Sequence, residues 1–359
     1  MIFVGDIATG NKECCSALYN SIFECRDIFS ENYTIANLEG MIDEVCHQTI
    51  HPILNNHPDV MNTLKLMNVK ALTLANNHSL DLPENFNQTK NELSKNGILF
   101  FGVGKEDNEA ILPAIFEIDG IKYIIFGYCW NILMQHQKDQ RGSICISKIK
   151  ERTILNNIKK YRDANSSAKI AMIMHWNFDL ETLPFPLHRV FSRAMIDVGA
   201  DIVIGHHSHC VQGGERYKGK VIIYGLGNFF FPWYVFTKGN SFFPKWTSPE
   251  LVVDWNPITD QVTCHWFNYE YLEGKHDLIY VDSEDFDEGE TIKKYSPYRN
   301  LGKKSYYNFF KKNRRKKTFM PIYSDHNQCI KNFLIDKYVI LRIKIARFLL
   351  QNNYRKREK

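Results

Sequence analysis

Polar side chains that bind metals or move protons recur in this sequence directly after short apolar runs. The run ALTLANNHSLD passes from apolar residues into Asn77, His78 and Asp81, and GADIVIGHHSH ends in three histidines within four positions. Packing explains such a histidine cluster poorly, because an imidazole that is buried without a partner loses free energy. Neutral imidazole is a common metal ligand, so the cluster indicates a metal or catalytic site.

The candidate ligands share one position, since each follows a predicted strand at the sheet edge where α/β proteins build their sites. A single Asp there commonly caps a turn, and a single His is commonly a hydrogen-bonded core residue, so the whole set carries more weight than any member. Two of the histidines alternate on a segment predicted to be extended, so both can point to one side. The predicted metal ligands are Asp6, Asn37, Glu39, Asn77, His175, His207 and His209.

This donor set suits one or two divalent cations of the Mn, Fe or Zn kind, with Mg as a further candidate. Two close metals can hold a hydroxide and neutralise a phosphate or similar oxyanion during in-line displacement. A histidine that is not a ligand can protonate the leaving oxygen. We predict His78 as this proton donor, with Asp81 as the second catalytic residue. Asn228 ends a further strand, and His206 adjoins the ligand pair.

Strands must alternate with helices to bring these residues together. Apolar runs rich in Ile and Val predict buried strands, and segments with helical spacing lie between several of them, which favours an α/β fold. The predicted strands lie in MIFVGD, YTIANLE, KALTLANN, GILFFGVG, IKYIIFGY, AKIAMIMHW, ADIVIGHH and KVIIYGLGNFFF. The predicted helices lie in HPDVMNTLKLMN, PENFNQTKNELSKNG, ERTILNNIKKYRDAN and LHRVFSRAMIDVGA. Beyond residue 248, PELVVDWNPITDQVTCHWFNYEYL predicts an antiparallel hairpin that closes the sheet.

Composition excludes several protein classes. The chain has 359 residues, 44% hydrophobic and 24% charged, which is typical of a globular protein rather than a disordered one. Its nine cysteines form no C-x-x-C pair, so neither a disulfide framework nor a zinc knuckle is expected. We predict no signal peptide and no transmembrane segment. The expected location is the cytoplasm, with a peripheral position at the inner face of the membrane left open.

Charge divides the chain into an acidic body and a basic tail. Residues 293–359 carry 20 Lys and Arg against 3 Asp and Glu, while residues 1–292 carry 25 against 37. We predict a main domain at 1–272 and a C-terminal appendage at 273–359, in which VDSEDFDEGE forms an acidic loop. The KKNRRKK run at 311–317 has no interleaved aromatic platform, so solvated charge is expected there rather than nucleic-acid binding.

The last segment of the appendage predicts a basic amphipathic helix. Its apolar face consists of Leu334, Tyr338, Leu341, Ile345 and Phe348, with Lys337, Lys344 and Gln351 assigned to the opposite face. Such a helix can lie on an anionic membrane or on a partner such as a synthase. The alternative is that the apolar face packs on the body and the charges are solvated.

Several motifs in their order resemble the CapA/PgsA family of bacterial poly-γ-glutamate capsule proteins, which is similar to the calcineurin-like metallophosphatases. They are GDIATG, ANLEG, LANNHSLD, MHWN and GADIVIGHHSHCVQGGERYKGKVIIYGLGNFFF, and they span about residues 1 to 270. The resemblance implies a metallophosphatase-like four-layer α/β/β/α sandwich, here with a basic, partly helical C-terminal appendage. It carries the ligand set over by motif and leaves the role of His206 open. It adds Gln212 and Glu215 to Asp81 and Asn228 as matched positions of open role.

The chain departs from the metallophosphatase pattern at identifiable positions. Ala8 stands where those enzymes have a histidine ligand, and Asn37 and Glu39 stand where they have Gly-Asp, two changes that CapA proteins share. HWNFDL replaces the usual His-Trp-Gly-x-Glu-Tyr, so Asp179 stands for Glu. His188 follows in the neighbourhood where a glutamine is usual.

The resemblance implies a protein of capsule or exopolymer biosynthesis. The first hypothesis is a metal-dependent, phosphoesterase-type hydrolase that uses metal-activated water on an anionic polymer or phosphoester substrate. The alternative is a non-catalytic accessory protein that binds a polyanionic polymer or a membrane synthase complex through its basic tail.

Overall fold

The computed structural model describes residues 1–49, 52–134, 144–238, 243–315 and 320–351. Its strands are β1 (Ile2–Ile7), β2 (Thr34–Leu38), β3 (Met41–Ile42), β4 (Asn55–Asn56), β5 (Val69–Thr73), β6 (Leu99–Phe101), β7 (Val103–Gly104), β8 (Ala114–Ile118), β9 (Ile121–Cys129), β10 (Cys145–Ile146), β11 (Lys169–His175), β12 (Ile202–His206), β13 (Val211–Tyr217), β14 (Lys220–Leu226), β15 (Asn228–Phe230), β16 (Pro249–Trp255), β17 (Val262–Leu272) and β18 (Lys275–Asp285).

Its helices are α1 (Lys12–Glu24), α2 (Asp27–Ser30), α3 (Val60–Leu66), α4 (Phe86–Lys95), α5 (Asp107–Ala110), α6 (Glu151–Ala164), α7 (Pro186–Asp197), α8 (Trp233–Phe236), α9 (Glu290–Tyr295), α10 (Lys303–Asn313) and α11 (Cys329–Gln351). Short 3-10 turns lie at Asn77–Leu80, Pro83–Asn85 and Lys245–Thr247. Strands and helices therefore form in the segments whose periodicity predicts them.

Two sheets form the centre of the described chain. The first has the order β18-β17-β16-β1-β2-β5-β6, with β15 paired to β1, and the second has the order β13-β14-β12-β11-β9-β8. β1, β2, β5 and β6 run parallel, as do β9, β11, β12 and β14. Parallel neighbours end at the same sheet edge, so Asp6 aligns with Asn37 in the first sheet and His175 with His206 in the second.

Alternate residues of the strands face two different cores. Phe3 and Ile125 belong to the apolar cluster between the sheets, whereas their neighbours Val4 and Ile124 belong to the cluster beneath the helices. α1, α3 and α4 contact the outer face of the first sheet, and α7, with α6 against it, covers the second. The predicted four-layer α/β/β/α sandwich is therefore confirmed. Every strand buried on both faces needs apolar residues at consecutive positions, which explains the unbroken apolar runs.

The hairpin predicted after residue 248 is also confirmed, because β16 and β17 pair antiparallel and β16 pairs with β1. β18 pairs with β17 and continues the first sheet beyond residue 272, the predicted end of the main domain. The prediction of an acidic loop is wrong for residues 281–285, which form the end of β18. An edge strand can carry exposed acidic side chains while its backbone is paired, so charge alone did not distinguish it from a loop.

The C-terminal helices pack on the helical layer of the second sheet. Phe310 of α10 lies against Phe185 with ring centroids 5.1 Å apart, and Val339 of α11 is buried in the larger core cluster. Residues 316 and 317 of the KKNRRKK run and residues 352–359 lie outside the described residues. Across the described chain, no helix combines the length and apolar character that crossing a membrane requires.

The predicted apolar face of α11 does not pack on the body of the protein. The five residues predicted as the apolar face, Leu334, Tyr338, Leu341, Ile345 and Phe348, are all exposed, so the alternative that this face packs on the body is wrong. Lys337 precedes Leu341 by one helical turn and therefore lies on the same side, as Lys344 does. Their assignment to the opposite face is thus wrong as well. The buried side of the helix is formed by different residues.

Candidate metal centre

Close backbone contact between β1 and the β14–β15 turn brings the first strand end to the site. A Cβ on Gly5 would lie 2.5 Å from the Gly227 carbonyl oxygen, so a larger residue cannot occupy this position. Gly227 itself has φ +85°, in the left-handed region that favours glycine. These two glycines allow Asp6 to align with Asn228 across the pair.

Asp6 lies at the penultimate position of β1, and its carboxylate is fully buried. Its Oδ1 lies 2.7 Å from His206 Nδ1 and accepts a hydrogen bond of 2.8 Å from Asn37 Nδ2. Its Oδ2 accepts the backbone N–H of His207 at 3.2 Å. Burial acts to raise the pKa of Asp6, but the hydrogen bond and charge of His206 hold this pKa well below its ordinary value.

Glu39, just beyond β2, is buried, and neither of its carboxylate oxygens has a hydrogen-bond partner among the described residues. Its Oε1 lies 3.2 Å from His175 Nε2 without hydrogen-bond geometry, and the same nitrogen lies 2.9 Å from Asn77 Oδ1. Burial and then the charge of Asp6 raise the pKa of Glu39 well above its ordinary value. Burial lowers the pKa of His175 well below its ordinary value. A cation among these donors would satisfy them.

The bend after β12 carries His207 and His209 with φ values of 82° and 51°. The prediction that they alternate on an extended segment is therefore wrong, although their ring centroids still lie 5.6 Å apart. The loop after β11 contains two similar left-handed residues, Asn177 and Leu180, around Asp179, whose Oδ1 lies 3.0 Å from His207 Nε2. Non-glycine residues in this region cost free energy and cluster at functional sites.

Six acidic and histidine side chains of the described residues form three overlapping donor groups. In each group the ligand atoms lie within 4.8 Å of one another. The groups are Glu39, His175 and His207; Asp179, His207 and His209; and Asp6, Glu39 and His209. Glu39, His207 and His209 each belong to two groups, so neighbouring sites share donors. The cluster could therefore hold a metal ion.

The predicted proton donor lies in the 3-10 turn that also carries Asn77. His78 Nδ1 is 2.7 Å from Asp81 Oδ2, which also accepts the Leu54 backbone N–H at 2.9 Å. The turn begins at Asn76, whose side chain accepts the N–H of Ser79. The Leu54 bond fixes the carboxylate, and the carboxylate orients the imidazole of His78.

Besides Asn77 and His206, two more predicted residues contact the donor groups through hydrogen bonds. Asn37 uses both ends of its amide, because Nδ2 donates to Asp6 and Oδ1 accepts from Asn76 Nδ2 at 3.0 Å. Asn228 Oδ1 lies 2.8 Å from His209 Nδ1. Burial lowers the pKa of His209, so its ring is available in the neutral form that binds metals.

Gln212 and Glu215 lie on β13 and make other contacts. Gln212 Nε2 donates to the Glu181 carbonyl oxygen at 2.6 Å. Glu215 pairs with Arg189 and Arg193 of α7, the second through bonds of 3.1 and 2.9 Å, and these partners hold its pKa below the ordinary value against the effect of burial. This ion network joins α7 to the second sheet and does not enter the donor groups.

Two acidic residues of the site were missed from the sequence. The sequence marks Asp179 as the replacement in HWNFDL, and its place just after a strand end fits the same rule as the other donors. Glu250 lies near the start of β16, fully buried, and its Oε2 has no hydrogen-bond partner among the described residues. Burial and then the charge of Asp6 raise its pKa well above the ordinary value. Its signal was an acid at the head of the apolar run PELVVDW.

Comparison with known proteins finds a match over the part of the chain that contains all six residues of the donor groups. A family model described as bacterial capsule synthesis protein PGA_cap matches residues 1–232. The PGA biosynthesis protein CapA of Bacillus subtilis strain 168 is 29% identical over 247 residues, covering 64% of this chain and 62% of that protein. The capsule biosynthesis protein CapA of Bacillus anthracis is 26% identical over 249 residues, covering 64% and 59%. This chain thus spans about three fifths of the length of these curated relatives.

Solved structures resemble the chain more distantly. The calcineurin-like phosphoesterase YfkN of Bacillus subtilis has 13% sequence identity and a TM-score of 0.40, and the match covers 86% of this chain and 96% of that one.

Proposed function

Since this chain belongs to the family of bacterial capsule synthesis proteins described as PGA_cap, we propose that it acts on an anionic surface polymer or its phosphoester precursor as a metal-dependent hydrolase. One observation carries the proposal. Glu39 and His207 are buried side by side in the donor cluster. Neither carboxylate oxygen of Glu39 has a hydrogen-bond partner among the described residues, and His207 Nδ1 has none either. Buried polar groups are normally satisfied, which supports a cation as the partner of these atoms.

The donors fit a divalent cation by type as well as by position. Carboxylate oxygens with several imidazoles suit Mn, Fe or Zn better than Mg, which prefers oxygen alone. The sharing of Glu39 and His207 between groups is compatible with one ion or with two close ions. Such ions, when bound, would neutralise an oxyanion of the substrate and activate water for attack.

The chain's own residues supply the proton chemistry in this proposal. His78 donates a proton to the leaving oxygen through the ring nitrogen that faces away from Asp81. Asp81 holds the other nitrogen at 2.7 Å and stabilises the protonated imidazole before transfer. Asn77 precedes His78 and contributes its amide oxygen beside His175, so one turn provides both a donor for the cation and the acid.

The test is metal binding and hydrolysis by the purified chain. Mn²⁺ titration by calorimetry should show binding, and a screen of bis(p-nitrophenyl) phosphate and poly-γ-glutamate should show Mn²⁺-dependent cleavage. His207→Ala and Asn77→Ala should lower the cleavage rate at least about tenfold, because each removes a donor. His265→Ala is the matched control, since His265 lies near Asp254 at the opposite end of β1. A chain that binds no divalent metal, or variants that cleave normally, would exclude the hydrolase.

A second candidate is an accessory protein that binds a polyanionic polymer or a synthase without cleaving it. The observation that favours it is the lack of an available metal ligand at two motif positions near Asp6. Ala8 offers none, and Asn37 already uses both ends of its amide. This candidate predicts that cells lacking the protein lose polymer and that His207→Ala restores it. Restoration by the wild type but not by His207→Ala would favour the hydrolase instead.

A further inference from the structure

The outer face of α11 presents large apolar side chains to solvent in a continuous stripe. Six residues of this face are between 44% and 81% exposed, namely Ile330, Phe333, Leu334, Tyr338, Leu341 and Ile345. At about 100° per residue, five of them fall within an arc of roughly 80°, and Phe333 lies roughly 60° outside it, beyond Lys337. Exposed apolar surface of this extent on a folded protein marks an interaction site.

The inner face of the same helix is fixed to the body. Val339 is fully buried, and Ile335 and Ile343 pack against the same core cluster. Asp336, the only acid in the sequence of this helix, accepts a hydrogen bond of 2.9 Å from the Tyr323 hydroxyl. The helix is therefore held along one side while the apolar stripe faces outward.

Lysines border the stripe on both sides. Lys337 and Lys344 lie at one border, and Lys331 lies at the other, all three exposed. Lysine stems extend along apolar surface while their ammonium groups reach outward, which is the arrangement of helices that lie in a membrane interface. The surrounding sequence at 293–359 has an excess of 17 positive charges, from 20 basic and 3 acidic residues.

We propose that α11 docks the protein on a membrane surface rich in anionic lipids, with the helix axis parallel to the surface. Charge complementarity favours an anionic membrane, because lysines border the apolar stripe. The one acid in the sequence of α11, Asp336, lies on the inner side of the helix. A second copy of the chain fits less well, since a twofold pairing of this face would oppose lysines to lysines. The proposal does not depend on the chemistry of the metal centre.

Vesicle co-sedimentation with the full chain tests the proposal. Binding to phosphatidylcholine vesicles that contain phosphatidylglycerol should exceed binding to phosphatidylcholine alone and should weaken as salt rises. The double variant Leu341→Glu/Ile345→Glu should lower the partition coefficient at least about tenfold, because it places charge in the stripe. Ile258→Glu is the matched control, since Ile258 is 74% exposed on the hairpin turn of the body, and it should bind as the wild type does.

A second variant keeps the test independent of folding. Lys337→Gln/Lys344→Gln keeps the apolar stripe and should lower binding to the anionic vesicles about 25-fold, at roughly fivefold per lysine. Three outcomes would overturn the proposal: no binding of the wild type to anionic vesicles, equal binding to neutral vesicles, or full binding by both double variants. Concentration-dependent dimers in gel filtration that the Glu variant abolishes, without vesicle binding, would assign the face to a second copy and overturn it too.

Discussion

Replacing Glu39 by glutamine should change stability in opposite directions with and without metal. In the metal-free protein the Glu39 carboxyl must either stay ionised near Asp6 or take up a proton, and both cost free energy. The ligand atoms of the two acids lie within 4.8 Å, at which two unit charges repel by about 3 kcal/mol for an effective dielectric constant of 20. His206 offsets part of this repulsion by its contact with Asp6. Glu39→Gln should therefore stabilise the metal-free protein by roughly 1–3 kcal/mol.

With metal the sign reverses, because the amide is a weaker ligand than the carboxylate it replaces. A ligand present at 100 times its dissociation constant stabilises the fold by about 2.7 kcal/mol, and the variant should lose most of this. Urea unfolding in EDTA and in saturating Mn²⁺ measures both effects. The expected pattern is a higher unfolding free energy for Glu39→Gln in EDTA and a smaller Mn²⁺ increment.

Glu250 provides the matched control for this measurement. It is also buried near Asp6 with a raised pKa and an unpartnered oxygen, but it belongs to none of the donor groups. Glu250→Gln should stabilise the metal-free protein and keep the full Mn²⁺ increment. Equal Mn²⁺ increments for Glu39→Gln and Glu250→Gln, or a loss of stability for Glu39→Gln in EDTA, would refute the reasoning.

Three further predictions concern residues outside the donor groups. Asp81→Asn should lower kcat by about 10²–10⁴, because His78 loses the partner that stabilises its protonated form, while calorimetric Mn²⁺ affinity stays unchanged. Glu215→Ala should lower the urea-unfolding free energy by about 3–5 kcal/mol, since it leaves Arg189 buried without its counter-charge, and should leave the Mn²⁺ increment intact. Burial lowers the pKa of His188 to about 3, so the unfolded chain binds its proton first on acidification. His188 should therefore contribute a loss of about 1.4 kcal/mol of stability per pH unit between about pH 6.5 and pH 3, and His188→Leu should reduce the slope of unfolding free energy against pH by this amount.

The fold was predictable because hydrophobic pattern and strand ends are local features. Runs such as IAMIMH are apolar at every position, which a strand covered on both faces requires, and the residue after such a run must lie at the sheet edge. That rule alone placed Asp6, Glu39 and His175 near one another. It could not separate a paired edge strand from a loop in VDSEDFDEGE, because backbone pairing leaves no trace in charge composition.

The details of the site were less predictable, since they depend on contacts between distant segments. His207 and His209 converge through left-handed backbone, a conformation that the sequence GHHSH does not require. The saturation of the Asn37 amide depends on Asn76, which lies 39 positions away in the chain. For α11 the sequence left open whether the face of Leu334, Tyr338 and Leu341 packs on the body, because apolar residues surround most of the helix. The contacts of Val339, Ile335 and Ile343 with the core decide which side is inside.

The donor cluster also explains why metal and folding should be coupled in this chain. Two sheets must pack before Asp6 and Glu39 of the first meet His175 and His207 of the second, so the unfolded chain has no such site. Packing buries both carboxylates together, and Glu39, unlike Asp6, has no hydrogen-bond partner among the described residues to offset this cost. A cation that binds only the folded chain adds its binding free energy to stability. The increase in unfolding free energy from EDTA to saturating Mn²⁺ therefore measures what a cation at this site contributes to stability.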